Sequence, residues 1–323
     1  MQERHSTCWN YARRKSVNNQ YALEVRSLVK DYGKHRAVDN LSFSVSKGTI
    51  FGLLGPNGAG KTTALECIEG LRDRTSGEIS VLGIDPAAHN GALYRTIGVQ
   101  LQTSGIPGMM TPRDAMHFFG RYHGIIPDTA LLDRFGLGGK KDVPYASLSV
   151  GQKRRLSLAA ASAHSPDILF LDEPTAGLDV ESRLELHTLI REMRDVGKTV
   201  VMATHDMAEA ENLCDELAII INGRIAVIGT PSQVTAAGDK RTTITVSTEN
   251  GSVIHGKPEL PGAAQVSIKD GYVQYQSHDP GASVVKLLAF IEEQHDVLVD
   301  LRVERPSLEQ RFMEITKNKE TAA

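Results

Sequence analysis

One stretch limits what this chain can fold into more than any other. Gly55, Pro56, Asn57, Gly58, Ala59, Gly60, Lys61, Thr62 and Thr63 read GPNGAGKTT and fit G-x-x-x-x-G-K-[ST], the pattern of a phosphate-binding loop. Its surroundings suit that pattern. Ile50, Phe51, Leu53 and Leu54 form an apolar run that reads as a buried strand. Ala64, Leu65, Cys67 and Ile68 follow at helical spacing. The glycines let the backbone curl so that successive N–H groups face an oxyanion. Lys61 adds a point charge for outer phosphates, the Thr62 hydroxyl is placed to hold Mg²⁺, and the helix adds its positive dipole end.

A chain with this loop folds as an α/β protein around a parallel sheet, and other stretches fit that frame. Ile168 to Leu171 reads as a buried parallel strand and ends in Asp172-Glu173. At such an edge Asp172 can serve Mg²⁺ and Glu173 can deprotonate a water. Thr199 to Ala203 is the next buried strand, with His205 at the same kind of edge. Ser149 and Gln152 make an S-x-x-Q capping box at a helix start, where free N–H groups also suit an anion. Asp179 caps a further helix that Gly197 stops. Ile97 to Leu101 is a short apolar segment ending at Gln102. Residues 22 to 47 read as antiparallel strands, since Leu41, Phe43 and Val45 alternate with serines. Tyr32, beside the Gly33 turn, reads either as a packing aromatic or as a platform for a base. Thr75 to Gly77 mark a turn before a strand through Gly83, and Asn222-Gly223 closes a hairpin.

Composition removes several alternatives. The 323 residues carry a formal net charge of −3, which argues against a nucleic-acid partner. The three cysteines have no metal or disulfide spacing. No apolar run approaches the roughly 18–20 residues of a membrane span. Residues 1–20 read as a polar extension, 21–236 as the phosphate-binding domain with a helical insertion over about 104–165, and 240–323 as a small C-terminal α+β domain. That last domain shows strand patterns near Thr243, Ala264, Tyr272 and Val297, plus a helix with Val284, Leu287, Leu288 and Ile291 on one face. It carries no catalytic constellation and reads as a packing or dimerisation module.

The phosphate loop, Gln102, LSVGQ, LFLDE, AGLD and THD occur in one order, and this order resembles the ATP-binding subunit of an ATP-binding cassette (ABC) transporter over residues 22 to about 235. The tail PSLEQRFMEIT resembles the bacterial drug, antibiotic and polysaccharide exporter subfamily. The resemblance implies a P-loop NTPase core with an antiparallel β subdomain and a helical subdomain. It implies ATP and Mg²⁺ as ligands. It would place Tyr32 on adenine, Gln102 on Mg²⁺ and the water, and Thr62 and Asp172 on the metal. Glu173 would be the general base and His205 a contact to the γ-phosphate. Ser149, Gly151 and Gln152 would meet ATP held by a second copy, with Asp179 crossing between copies. Val150 stands where the signature usually has glycine, which implies a looser fit across the pair. The implied partners are a second copy and an integral-membrane permease, with the chain on the cytoplasmic face of the membrane. Rival readings are a soluble cassette ATPase of ribosomes or DNA, and a nucleotide sensor that does not hydrolyse.

Overall fold

The computed structural model describes residues 20–88, 91–102, 105–238 and 241–320, with side chains described to 316. The expected polar extension therefore lies outside the described residues except at Gln20, as do positions 104 and 240. The described residues divide into two compact units. One runs to Asp206 and resumes over Leu213–Ala226; the other holds Met207–Asn212 and everything from Val227 onward.

The first unit opens with two long strands, β1 (Tyr21–Tyr32) and β2 (His35–Ser46), paired antiparallel. The alternation expected around residues 41–45 is present, with Leu41, Phe43 and Val45 inward. The buried strand β3 (Ile50–Leu54) leads through the glycine-rich loop into α1 (Lys61–Ile68). β4 (Ser76–Val81) then joins the other edge of β1. Here the structure corrects the sequence reading. The strand begins at Ser76 and stops at Val81. The reversal falls on Leu82 and Gly83, whose φ values of 52° and 84° let Val81 and Ile84 bridge. A leucine in the left-handed region gives no signal in sequence.

α2 (Gly91–Thr96) precedes β5 (Ile97–Gln100), and the helical insertion follows with α3 (Pro112–Tyr122), α4 (Leu131–Arg134) and α5 (Val150–Ser162). The chain returns through β6 (Ile168–Asp172), α6 (Val180–Asp195), β7 (Thr199–Thr204) and α7 (Met207–Leu213). β8 (Glu216–Ile221) and β9 (Arg224–Gly229) turn at Asn222-Gly223, both at positive φ as a two-residue hairpin requires. The six central strands lie in the order β5-β6-β7-β3-β8-β9, and those from β5 to β8 run parallel.

Register positions the site. Leu54 pairs with Thr204 and Asp172 pairs with Ala203, so β3, β7 and β6 end side by side. Whatever follows those three strands shares one edge of the sheet, the place where open α/β sheets bind ligands.

The second unit adds α8 (Pro231–Ala236), β10 (Thr242–Thr248), α9 (Ser252–Gly256), β11 (Ala263–Lys269), β12 (Tyr272–Ser277), α10 (Pro280–Glu293), β13 (Leu298–Glu304) and α11 (Leu308–Glu320). Its antiparallel sheet runs β11-β12-β10-β13. Ile244, Val246, Val273, Tyr275, Leu287 and Ile291 belong to its own core. Leu288, expected on the buried stripe, is exposed, and Ser283 is buried in the helix instead. The Ser283 hydroxyl lies 2.6 Å from that of Ser277 and donates to Pro261 O at 2.8 Å, so hydrogen bonds satisfy a polar side chain in the interior.

Candidate nucleotide site

Gly60 is the hinge between loop and helix. Its φ is +99°, and a Cβ there would lie 2.3 Å from the carbonyl oxygen of Ala37, so no larger residue fits. The loop's backbone closes on itself where Ala59 N–H donates to Pro56 O at 3.1 Å. Lys61 is buried, and its ammonium donates to Gly55 O at 2.7 Å and Pro56 O at 3.1 Å. It also lies 3.8 Å from Glu173 Oε1. Burial pushes the Lys61 pKa down, opposed by the carboxylates of Glu173 and Asp172.

Across the sheet edge, Thr62 Oγ1 donates to Asp172 Oδ2 at 2.9 Å. Burial pushes the Asp172 carboxyl up, with the Thr62 hydrogen bond opposing. Its second oxygen, Oδ1, is buried without a hydrogen-bond partner. Glu173 follows at φ +48°, an uncommon angle for glutamate, with its N–H on Ala203 O at 2.9 Å. That turn brings Glu173 Oε2 to 2.7 Å from Nδ1 of His205, which follows β7. The loop, Asp172, Glu173 and His205 therefore form one set, as the sequence predicts.

A second set forms elsewhere. Ser149 caps α5 with the full capping box: its Oγ accepts from Gln152 N at 3.2 Å, and Gln152 Oε1 accepts from Ser149 N at 3.0 Å. Val150 is exposed and leaves the box intact. Gly151 is buried against α6, where a Cβ would lie 2.6 Å from Ser182 Oγ. Ser182 in turn donates through N–H and Oγ to the Asp179 carboxylate at 2.8 and 3.1 Å. The capped ends of α5 and α6 thus meet. Tyr32 stands at the end of β1, 41% exposed, with Lys30 Nζ and Arg72 Cζ 5.2 and 5.3 Å from its ring centre. Gln102 is exposed, and its main-chain carbonyl accepts from Arg154 Nη1 of α5 at 2.8 Å.

The description ABC transporter matches residues 38–176. The linearmycin resistance ATP-binding protein LnrL of Bacillus subtilis (strain 168) is 32% identical over 305 residues, spanning 91% of this chain and 98% of that protein. The chain belongs to the ABC transporter family, as an ATP-binding subunit. A Nod factor export ATP-binding protein I of Sinorhizobium fredii is 43% identical over 219 residues, covering 65% of this chain and 63% of that protein. A solved ATP-binding subunit of an ABC transporter superposes with a TM-score of 0.62 at 27% identity, covering 67% of this chain and 92% of the other.

This ABC subunit also holds groups that sequence reading missed. A cavity of about 720 Å³ lies between β5 and helices α3 and α5. Its wall includes Phe118, Phe119 and Tyr122, of which Phe118 and Tyr122 are exposed. Gln100 lines it too, buried with both amide atoms unpartnered. Glu69 is another lining residue, and burial pushes its carboxyl up to about 8, with Asp172 and Glu66 adding to the shift. His123 and His164 stack on the same wall, ring centres 3.6 Å apart. A glutamine inside the apolar run Ile97–Leu101 was the one available signal. No helix among the described residues is long and apolar enough to cross a membrane.

Proposed function

We propose that this chain binds ATP with Mg²⁺ and hydrolyses it in a pair with a second copy, powering export through a separate permease from the cytoplasmic face of the membrane. The observation that carries the reading is the shared edge where Lys61, Thr62–Asp172 and Glu173–His205 meet. The loop amides and Lys61 bind the phosphates; the ammonium is already held inside the curl by loop carbonyls. Asp172 and Thr62 fit a hard cation, because a buried carboxylate oxygen without a partner is the donor such an ion takes. Mg²⁺ held there would neutralise phosphate charge and polarise the terminal phosphoryl group. Glu173 takes the proton from the attacking water. His205 orients that carboxylate through Nδ1, which leaves Nε2 as the ring nitrogen for a terminal phosphate.

The second set supports the paired arrangement. Ser149, Gly151 and Gln152 form a capped helix start, where N–H groups not used by the cap suit an anion brought by a second copy. Asp179, joined to that end through Ser182, would cross to the other copy. Closing two such sets on ATP excludes water and strengthens each charge contact. Gln102 would sense Mg²⁺ and the water, and its tie to Arg154 links it to the helix that Ser149 caps. The apolar cavity beside it offers the permease a seat.

The test is Glu173→Gln. It should keep ATP affinity, lose turnover by roughly 10²-fold or more, and accumulate an ATP-bound dimer. Hydrolysis at the parental rate would remove Glu173 as the base.

A further inference from the structure

The ring of His205 is lightly held. Its side chain is 52% exposed, and among the described residues its one hydrogen-bond partner is Glu173, 2.7 Å away. A ring this exposed takes its place from the backbone beneath it. His205 is the middle residue of the turn after β7, and both its neighbours are anchored. Thr204, buried at the strand end, accepts from Asp206 N–H through Oγ1 at 3.0 Å. The Asp206 carboxylate accepts from Arg183 Nη1 of α6, also at 3.0 Å.

Arg183 reaches that turn from the capped start of α6. Its own N–H donates to Asp179 O at 3.0 Å. It follows Ser182, whose N–H and Oγ both bond the Asp179 carboxylate and against which Gly151 of α5 is packed. The ion pair with Asp206 is partly shielded, the side chains being 38% and 28% exposed, so it is screened less than a surface contact. It is made through Nη1, while Nε of Arg183 is buried without a partner. A single donor makes the contact, so a lysine ammonium can replace it.

We infer that Arg183 is a positioning residue for hydrolysis: by holding Asp206 it fixes the turn that carries His205, and with it the contact of His205 to Glu173. The inference rests on the roles proposed above for Glu173 and His205. The end of α6 that would meet a second copy thereby also holds the histidine of the nucleotide site.

Two measurements on the full chain test this. In steady-state Mg²⁺-ATPase assays, Arg183→Ala should lower kcat about tenfold and change KM less than about twofold, because a displaced His205 affects the reacting geometry and not the phosphate loop. Arg183→Lys should keep most of the parental kcat. The second measurement is the NMR signal of the His205 imidazole, assigned by its loss in His205→Ala. Glu173→Gln should move that signal, since it changes the partner of Nδ1. In the Arg183→Ala background the same Glu173→Gln change should move it far less, because the contact has already been lost. A mere effect of the missing arginine charge would leave the two shifts equal. Arg183→Gln, which keeps the side-chain length and removes the charge, is read in the same way where Arg183→Ala does not fold. If Glu173→Gln moves the signal equally with and without Arg183, the inference is overturned while the Glu173–His205 contact stands. If Glu173→Gln moves nothing in the parent, that contact fails and the inference fails with it. Parental kcat in a folded Arg183→Ala or Arg183→Gln, with only Tm lowered, also overturns it and leaves the ion pair a structural one.

Discussion

Asp172 is where the candidate nucleotide site can be probed most directly. Its carboxyl is buried, its pKa is raised by that burial, and one oxygen has no protein partner. Asp172→Asn should leave Tm at neutral pH unchanged or higher, since a neutral amide avoids the burial penalty and can still accept from Thr62. The same change should lower Mg²⁺-dependent ATPase activity by roughly 10²-fold or more. A fall in both would show that Asp172 is structural. Glu69 gives a second prediction. Its folded-state pKa rises from 4.5 to about 8, so the fold binds a proton there that the unfolded chain has released. Its stabilising contribution is complete below about 4.5 and is lost as pH rises through about 8. Tm of the parent should therefore fall across that window, and Glu69→Gln should flatten the slope. Tyr32→Ala should weaken ATP binding by about 1 kcal/mol, roughly fivefold in Kd, if the exposed ring stacks on a base. Asp172 and Glu173 were legible as neighbours of a strand end. Glu69 and Gln100 were not, because a polar residue in an apolar stretch does not reveal whether it faces a cavity, solvent or a partner.

At the scale of elements, the meeting of α5 and α6 is the feature to probe. Gly151→Ala places a methyl 2.6 Å from Ser182 Oγ and 3.0 Å from its Cβ. The helices must part, at a cost of about 1–3 kcal/mol. Adding Ser182→Ala removes the nearer atom and should recover part of the lost Tm. No recovery would mean that the strain lies elsewhere. Both helix starts were readable, because capping residues announce themselves: Ser149 with Gln152, and Asp179 ahead of an amphipathic run. That one helix end would rest on the other was not, since a glycine in a first helical turn looks alike whether it flanks solvent or a serine. The misplaced turn after β4 has the same origin. Gly77 looks like a reversal, but it lies within the strand at φ +97°, with a would-be Cβ 2.4 Å from Ser27 O of β1.

For the whole molecule, the two units have separate apolar cores, one around β1–β4 and the central sheet, the other between β10–β13 and α9–α10. Separate cores predict separate unfolding transitions in calorimetry. ATP with Mg²⁺ should raise only the transition of the unit that contains Lys61 and Asp172, by the mass-action rule that ligands stabilise the state they bind. A single transition that shifts as one would show that the units fold as a block. The boundary itself was only partly legible. Sequence texture puts it near 236–240, whereas the compact unit also takes in Met207–Asn212, more than twenty positions upstream. Leu308 N–H of α11 donates to Glu211 Oε2 at 3.4 Å, a link between distant segments that no local pattern records.

The sequence alone determined the chemistry at each stop along the chain: a loop for phosphates, carboxylates at a strand end, a histidine at another, and capped helix starts. Those follow from rules that reach only a few residues, namely side-chain periodicity, capping and backbone freedom. Tertiary structure decided which stops share a site. It did so through the order β6-β7-β3 and a register that pairs Leu54 with Thr204 and Asp172 with Ala203. It also buried Gln100 and Glu69 beside a cavity. Strand order and burial are set by packing among segments far apart in the chain, where no single stretch holds the information.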